Sequence, residues 1–390
     1  MRARLVSCAA LSGVAMLGAG AADVRVDLRA NAGEIVGAAA TADLRGIELR
    51  GVRGDAGGAA ERVVPWDMVR AVDGSVASAA GADLPTMLEV ATELWRARTR
   101  VERGDMELAR PLFRAQWPRF ARAEGPTAAL VAEGALRCAV AAGELDAALE
   151  PWLECLRHRA AGEATRFPTL DPALDPETGL LPVLPPFVPS NRRAALVATF
   201  DALASQPATS AAAAAAAREV GERLARIMQA SSARGDLGAM AAARSDAAPA
   251  VKVLASLEPV AAAADERALS KALGEFDRDF PEPAPFIASW RLAASACASA
   301  RQARLVQGER RIAALERAAL EMLAVPASGL DKTGLVDAYA LEEAESLARE
   351  AGLGEVASRI AALRGEAKAG GDDVGGKGKV SSGQTREANP

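Results

Sequence analysis

From residue 84 to residue 162 the apolar positions recur at helical spacing, and the same pattern is written twice. Laying Gly104 over Gly143, 39 residues later, superposes Ala97 on Leu136, Val101 on Val140 and Asp105 on Glu144. Met106 then meets Leu145, Ala109 meets Ala148, and Phe113 meets Trp152. Each glycine follows a run of helix formers and suits a helix C-terminus, where a left-handed residue costs glycine least. The acid after it places negative charge at the positive start of a second helix. The alanine lets two helices approach closely and the aromatic fills the space beside it. One such pair cannot bury its own apolar face, so the pattern predicts stacked pairs. Helical spacing resumes from 190 to about 244, from 250 to 273 with Pro259 as an expected break, from 290 to 323 as one bent helix or two, and from 335 to 364 around Gly352.

The matching Gly104, Ala109 and Phe113, then Gly143, Ala148, Trp152 and the small Cys155, with a weaker echo in Gly352 and Ala357, resemble the tetratricopeptide repeat family. The chain departs from that family in its offset, since those repeats run about 34 residues, and in Pro111 and Pro151 early in the second helices. The resemblance implies an α-solenoid over 84–364 with a concave surface that binds proteins, and implies no reaction.

Upstream the period changes. Val24, Val26 and Leu28 alternate with Arg25, Asp27 and Arg29, and short apolar runs follow at 34–36, 47–49 and 63–64 before Val64-Pro65-Trp66-Asp67-Met68-Val69. Residues 23–74 therefore read as a small β-barrel or β-meander, loosely similar to SH3-like or Sm-like folds, with Trp66 as its apolar anchor. Residues 75–83 are small and polar, a linker. The expected fold class is mainly α, helical hairpins preceded by a small β domain.

The 167–189 stretch holds seven prolines, yet Leu180, Leu181, Val183, Leu184, Phe187 and Val188 are too apolar for a solvated coil. It is expected to pack, either along the concave groove, where it would shape a binding site, or as a rigid cross-over capping helix ends. Its Asp171, Asp175 and Glu177 could in principle do acid–base work, but turn chemistry between prolines explains them more simply.

Arg2 and Arg4 precede an uncharged run from Leu5 to Ala22 that ends in Ala19-Gly20-Ala21, an export signal over 1–22 with a small-x-small cleavage site. An uncleaved N-terminal anchor is the alternative. The Leu5-Val6-Ser7-Cys8 box is discounted because its apolar stretch follows the cysteine instead of preceding it. Export puts the chain in the periplasm or outside the cell and makes cysteine pairing possible. Cys138 and Cys155 would be staggered by roughly 10 Å along a hairpin, beyond the reach of a disulfide, so they and Cys297 are expected to be free thiols. The tail, 365–390, is Gly-, Lys-, Asp- and Ser-rich and reads as disordered.

Composition narrows function mainly by exclusion. A net charge of −5 argues against nucleic acid, which requires a basic stripe. There is no phosphate loop, dinucleotide fingerprint or nucleophile elbow, so no catalytic, metal or cofactor residue is assigned, and the binding residues are unknown. His158, the single histidine, has no second histidine to build a cluster with and is expected to cap a helix or lie at the surface. Arg-Gly-Asp at 53–55, 103–105 and 234–236 is explained by helix ends and turns instead of adhesion. With five Trp, eight Phe and one Tyr the chain has few aromatics to spare for sugar platforms. The expected function is an exported non-catalytic protein–protein interaction scaffold of the cell envelope, without a cofactor and touching a membrane only through an uncleaved N-terminus. The alternatives are a carboxylate-based glycan hydrolase and a self-associating structural component.

Overall fold

The computed structural model describes residues 23–30, 32–52, 61–79, 83–204, 212–231 and 247–374. The expected export signal at 1–22, the Arg-Gly-Asp triplets at 53–55 and 234–236, and the part of the expected tail from 375 onward lie outside these residues. Among the described residues there are seven strands and twelve helices. The strands are β1 (Val24–Leu28), β2 (Glu34–Gly37), β3 (Ala39–Ala42), β4 (Ile47–Arg50), β5 (Arg62–Val64), β6 (Val69–Asp73) and β7 (Ala77–Ser78), with a 3-10 turn at Trp66–Met68 between β5 and β6. The helices are α1 (Leu84–Glu102), α2 (Met106–Phe120), α3 (Pro126–Ala141), α4 (Leu145–Ala160), α5 (Ser190–Ala204), α6 (Ala212–Ala230), α7 (Pro249–Ala262), α8 (Glu266–Asp279), α9 (Pro285–Leu305), α10 (Arg310–Ala327), α11 (Leu335–Glu350) and α12 (Gly354–Val374).

The β region forms two sheets, β2-β1-β6 and β5-β4-β3-β7. They do not close into a barrel, which corrects that half of the barrel-or-meander expectation. The strands are two to five residues long, too short to carry the stagger that closure needs, and helices cover the apolar side instead. Val24, Val26, Ile47, Leu49, Val64, Trp66 and Val69 share one core with Met87, Leu94 and Val101 of α1, Phe113 and Phe120 of α2, and Leu130 and Val131 of α3. Trp66 is buried there, as expected, and its Nε1 donates to the Asp43 carbonyl at 2.8 Å. Its backbone N–H donates to Thr127 Oγ1 at 3.1 Å, and that hydroxyl donates on to the Arg45 carbonyl at 2.6 Å. Thr127 is thus a buried polar rivet between the start of α3 and the sheets. Within the stretch read as a linker, β7 pairs in parallel with β3. The alanine-rich β3 was not foreseen, because its partners β4 and β7 hold it extended against its own helical preference.

The doubled helical pattern appears as α1–α2 and α3–α4. Gly104 (φ +85°) and Gly143 (φ +69°) end the first helix of each pair in the left-handed conformation. The Gly104 N–H donates to the Val101 carbonyl and the Asp105 N–H to the Arg100 carbonyl; Gly143 and Glu144 do the same to Val140 and Ala139. This double bond satisfies the last carbonyls of the helix. The acids after the glycines make no side-chain cap bond, so at the helix start they act through the dipole, and Glu144 also pairs with Arg110 of α2. Ala109, Phe113, Ala148 and Trp152 are all buried. Arg103-Gly104-Asp105 is this helix-to-helix turn.

Further along, Pro259 does not break its helix: it sits in the last turn of α7, where the missing N–H costs one bond near an end that fraying would weaken anyway. The 290–323 stretch resolves into two helices, α9 and α10, parted at Gly308 (φ +70°). Helix α12 runs on to Val374, into the stretch read as tail, through the strong helix formers Glu366, Ala367, Lys368 and Ala369. Each helix from α1 to α12 packs on its successor, and α1 also packs on α3, α4 on α6, α7 on α9 and α9 on α11. No helix among the described residues is long and apolar enough to cross a membrane.

The proline-rich stretch is packed. Leu180, Leu181, Leu184, Phe187 and Val188 are buried in the larger helical core, each worth about 1.5–3 kcal/mol over an exposed position. That offsets an ordering cost of about 1–2 kcal/mol per residue, which proline lowers by restricting the unfolded chain. The stretch leaves α4, whose Trp152 Nε1 donates to the Gly179 carbonyl at 3.1 Å. It ends against α11, where Phe187 meets Tyr339 at 5.7 Å between ring centroids and the Ser190 N–H donates to Glu342 at 3.2 Å. It therefore ties the fourth helix to the eleventh.

Candidate functional site

A cavity with both polar and apolar walls lies where α3 and α4 meet the chain from Glu163 to Pro176. Its volume is about 380 Å3. Ala129, Cys155, Leu170, Ala173, Leu174 and three prolines give it apolar walls, and Glu133, His158, Arg159, Glu163 and Thr165 are its polar groups. The chain folds this way locally because Arg137 and Arg159 pin it by its backbone. Arg137 Nη1 donates to the Asp171 carbonyl at 2.9 Å and stacks its guanidinium on Phe167 at 5.3 Å. Arg159 donates to the carbonyls of Asp175, at 3.0 Å, and Pro176. The glycine-turn motif reappears at the end of α4, where Gly162 (φ +86°) starts the cavity wall.

His158 corrects the expectation of a surface or capping residue: it is only 3% exposed and faces the cavity. One ring nitrogen, Nε2, lies 3.4 Å from the Arg157 guanidinium, and among the described residues the other makes no hydrogen bond. Burial, helped by the charge of Arg157, lowers its pKa to about 4, so at neutral pH it is a neutral imidazole. Burial raises the Cys155 thiol well above its ordinary range, which leaves it protonated and unreactive. Glu133 is fully engaged: its carboxylate accepts from Arg137 at 2.9 Å, from Thr165 Oγ1 at 2.9 and 3.0 Å, and from the Arg166 N–H at 2.9 Å.

The three acids singled out in the proline-rich stretch do not converge on this cavity with their carboxylates. Asp175 caps its own turn, accepting from the Thr178 N–H at 2.8 Å and from Thr178 Oγ1 at 2.6 Å. Asp171 is used through its backbone carbonyl, and Glu177 is exposed. The three thiols, Cys138, Cys155 and Cys297, are free, and no metal-holding group of His, Cys, Asp and Glu occurs among the described residues. A shallower groove of about 220 Å3 lies between α2, α3 and α4, where Arg110 pairs with Glu144 at 2.6 Å and Trp117 Nε1 donates to Glu150 at 3.3 Å.

Besides Glu345 on α11, two buried carboxylates lie outside the cavity. Asp67, in the turn before β6, has no exposed surface and takes Arg98 at 2.7 Å and Arg166 at 3.1 Å. Glu258 of α7 takes Arg223 of α6 at 2.7 Å, while its second oxygen is buried without a partner, and burial raises it to about 7. Sequence reading passed over both, since a lone acid inside an apolar pattern carries no spacing signal. The Val-Pro-Trp-Asp stretch was the nearest pointer.

The signs of these shifts make the acid limb of stability testable. A histidine lowered from 6.5 to about 4 contributes stability that is present above pH 6.5 and lost as pH falls through 4. A glutamate raised from 4.5 to about 7 contributes stability that is present below pH 4.5 and lost as pH rises through 7. The two slopes oppose each other, and single variants separate them. In urea unfolding at pH 7 and pH 5, His158→Gln should gain stability relative to wild type as pH falls, and Glu258→Gln should lose it. Parallel profiles for all three proteins would refute both assignments.

Compared with protein-family models, with curated proteins and with solved structures, the chain matches none.

Proposed function

We propose that the chain is an exported, non-catalytic interaction scaffold of the cell envelope, a β module docked on a tetratricopeptide-like helical solenoid. A protein partner would insert an apolar side chain or turn into the cavity beneath the proline-rich stretch. The observation that carries this reading is the state of that cavity. Its walls are mostly apolar, its histidine is neutral, its thiol is protonated and Glu133 is saturated. Such a lining suits recognition, with a few polar groups fixing orientation. General acid–base work instead needs groups poised to change charge near the working pH. The packing of alternate helices, α1 on α3 and α7 on α9, supports stacked hairpins. Glycan hydrolysis is less well supported, because it needs two facing carboxylates about 5–10 Å apart, and Asp175 is consumed by its turn.

Ala164 lines the cavity from an exposed position, so a tryptophan there would fill it without entering the core. A protein captured by the wild-type chain from envelope extract should be lost by Ala164→Trp and kept by Arg114→Trp, which alters the other groove. Equal capture by both variants, with circular dichroism showing all three folded, would move recognition away from the cavity. Capture of nothing by the wild type would sink the scaffold reading.

A further inference from the structure

Three arginines, Arg29, Arg70 and Arg96, sit on neighbouring segments where β1 and β6 meet α1, away from the cavity just described. Arg29, just past the end of β1, donates from Nε to the Val69 carbonyl at 2.9 Å and from Nη2 to Thr92 Oγ1 at 2.8 Å. Thr92 gives its own proton to the Leu88 carbonyl at 3.1 Å, so toward Arg29 it can only accept. The Arg29 guanidinium lies over the Trp95 ring, 5.1 Å from its centroid. These anchors place the backbone of the other two arginines close by. Arg70 follows Val69 and Arg96 follows Trp95, and both are exposed. Burial, then the like charges of Arg96 and Arg70, lower Arg29 below the ordinary arginine value, and no carboxylate acts in the opposite direction.

Two acids lie close by, and neither pairs with Arg29 or Arg96. Asp27 pairs with Arg70 at 3.0 Å, and Glu93, one helical turn before Arg96, accepts from Gln116 Nε2 at 2.6 Å. Arg98, the next arginine along α1, is held by Asp67 and Glu102. Among the described residues Arg29 and Arg96 make no ion pair. One guanidinium is therefore held rigid and uncompensated, and two exposed ones stand beside it on flexible stems.

We propose that Arg29, Arg70 and Arg96 form a binding site for a phosphate group at the junction of the sheet with α1. Three of the five Arg29 N–H groups remain for a ligand after Val69 and Thr92 are served. A phosphate offers a tetrahedral set of oxygens and up to two charges to three donors, where a carboxylate offers two oxygens and one charge. Because Arg29 is tied to β6 and α1 at once, an anion seated there stabilises that junction. The phosphate could belong to a lipid headgroup or to a free phosphate compound.

Arg29 itself is part of the packing, so the test uses the exposed pair. The full chain is titrated with inorganic phosphate at low ionic strength, against chloride at matched ionic strength, while its thermal midpoint is followed. It is also sedimented with vesicles of phosphatidylglycerol and, as a control, of phosphatidylcholine. Wild type and Arg114→Gln, a surface control, should show a phosphate-dependent rise in midpoint, and Arg70→Gln/Arg96→Gln should need about tenfold more phosphate or lose the rise. A rise together with co-sedimentation on phosphatidylglycerol, both lost in the double variant, assigns a lipid headgroup. A rise without co-sedimentation assigns a free phosphate compound. No rise in the wild type, or an equal rise in the double variant, overturns the site whatever the vesicles do.

Discussion

Asp67→Ala is expected to lower folding stability by about 3 kcal/mol, at the lower edge of what breaking a buried ion pair costs. Asp67 is fully buried and is the common acceptor for two guanidiniums from distant parts of the chain, Arg98 on α1 and Arg166 at the head of the proline-rich stretch. Arg98 would keep Glu102, at 2.8 Å, but among the described residues Arg166 has no second carboxylate and its Nε is already buried without a partner. Both arginines are about one-fifth exposed, so water can reach part of the loss, which is why the lower edge applies. Asp67→Asn should cost nearly as much. It removes the charge and turns one accepting oxygen into a donor that faces a guanidinium. Urea unfolding reads the effect as a shift in midpoint at constant slope. Hydrogen exchange locates it: the Leu170 amide, bonded to the Phe167 carbonyl at 3.1 Å, should exchange faster, and amides of α10 and α11 should not. A loss under about 1 kcal/mol, the range of exposed pairs, would show that Asp67 does not clamp the cavity wall to the sheets.

How much of this was legible in the sequence varied with the range of the cause. The helix pairs were, because Gly104 and Gly143 act within one turn of themselves and the apolar spacing repeats around them. So were β1 and the burial of Trp66. The alanine strand β3 was not, since its extended form is imposed by neighbours across the sheet. Nor was the open edge of the two sheets, which depends on α1 to α3 covering the apolar side. For the proline-rich stretch, hydropathy announced that Leu180 to Val188 must be buried, but not that Phe187 would meet Tyr339 on α11. Local pattern says that a residue wants burial; only the fold says beside what.

The cavity was less legible than the fold. His158 was noticed for being the single histidine, and was expected to cap a helix or lie at the surface because no second histidine could build a cluster with it. In the fold Arg157 turns inward instead, donating to the Ala123 carbonyl at 2.6 Å, and carries His158 under the loop. The arginine cluster of Arg29, Arg70 and Arg96 had no sequence signature at all, since its members come from three elements and a β-strand pairing brings two of them together.

Gly134 was not singled out either, and it gives the second large expected effect. An isolated glycine inside a helical pattern costs about 1 kcal/mol against alanine, so a packing reason is worth seeking. Here it lies in the middle of α3, and a Cβ built on it would overlap three atoms of the buried Phe113 ring, Cζ, Cε1 and Cε2. Phe113 is the large aromatic of the first helix pair, so a small residue faces a large one across the α2–α3 contact. Two effects then compete in Gly134→Ala. Helix propensity favours alanine by about 1 kcal/mol. Overpacking a filled core costs about 1–3 kcal/mol, and the upper end applies because the obstacle is the rigid end of a ring with no exposed surface to turn into. The net expectation is a loss of about 1–2 kcal/mol for alanine, and a larger loss for valine. Shortening the ring partner should reverse the sign of the neighbouring change: Gly134→Ala in a Phe113→Leu background should be neutral or stabilising, because the clash is gone and the propensity gain remains. The double-mutant cycle therefore carries the argument. If alanine is equally harmful with leucine at 113, the glycine is required by something other than the ring, and the close approach of α2 to α3 is not what holds this pair of helices in register.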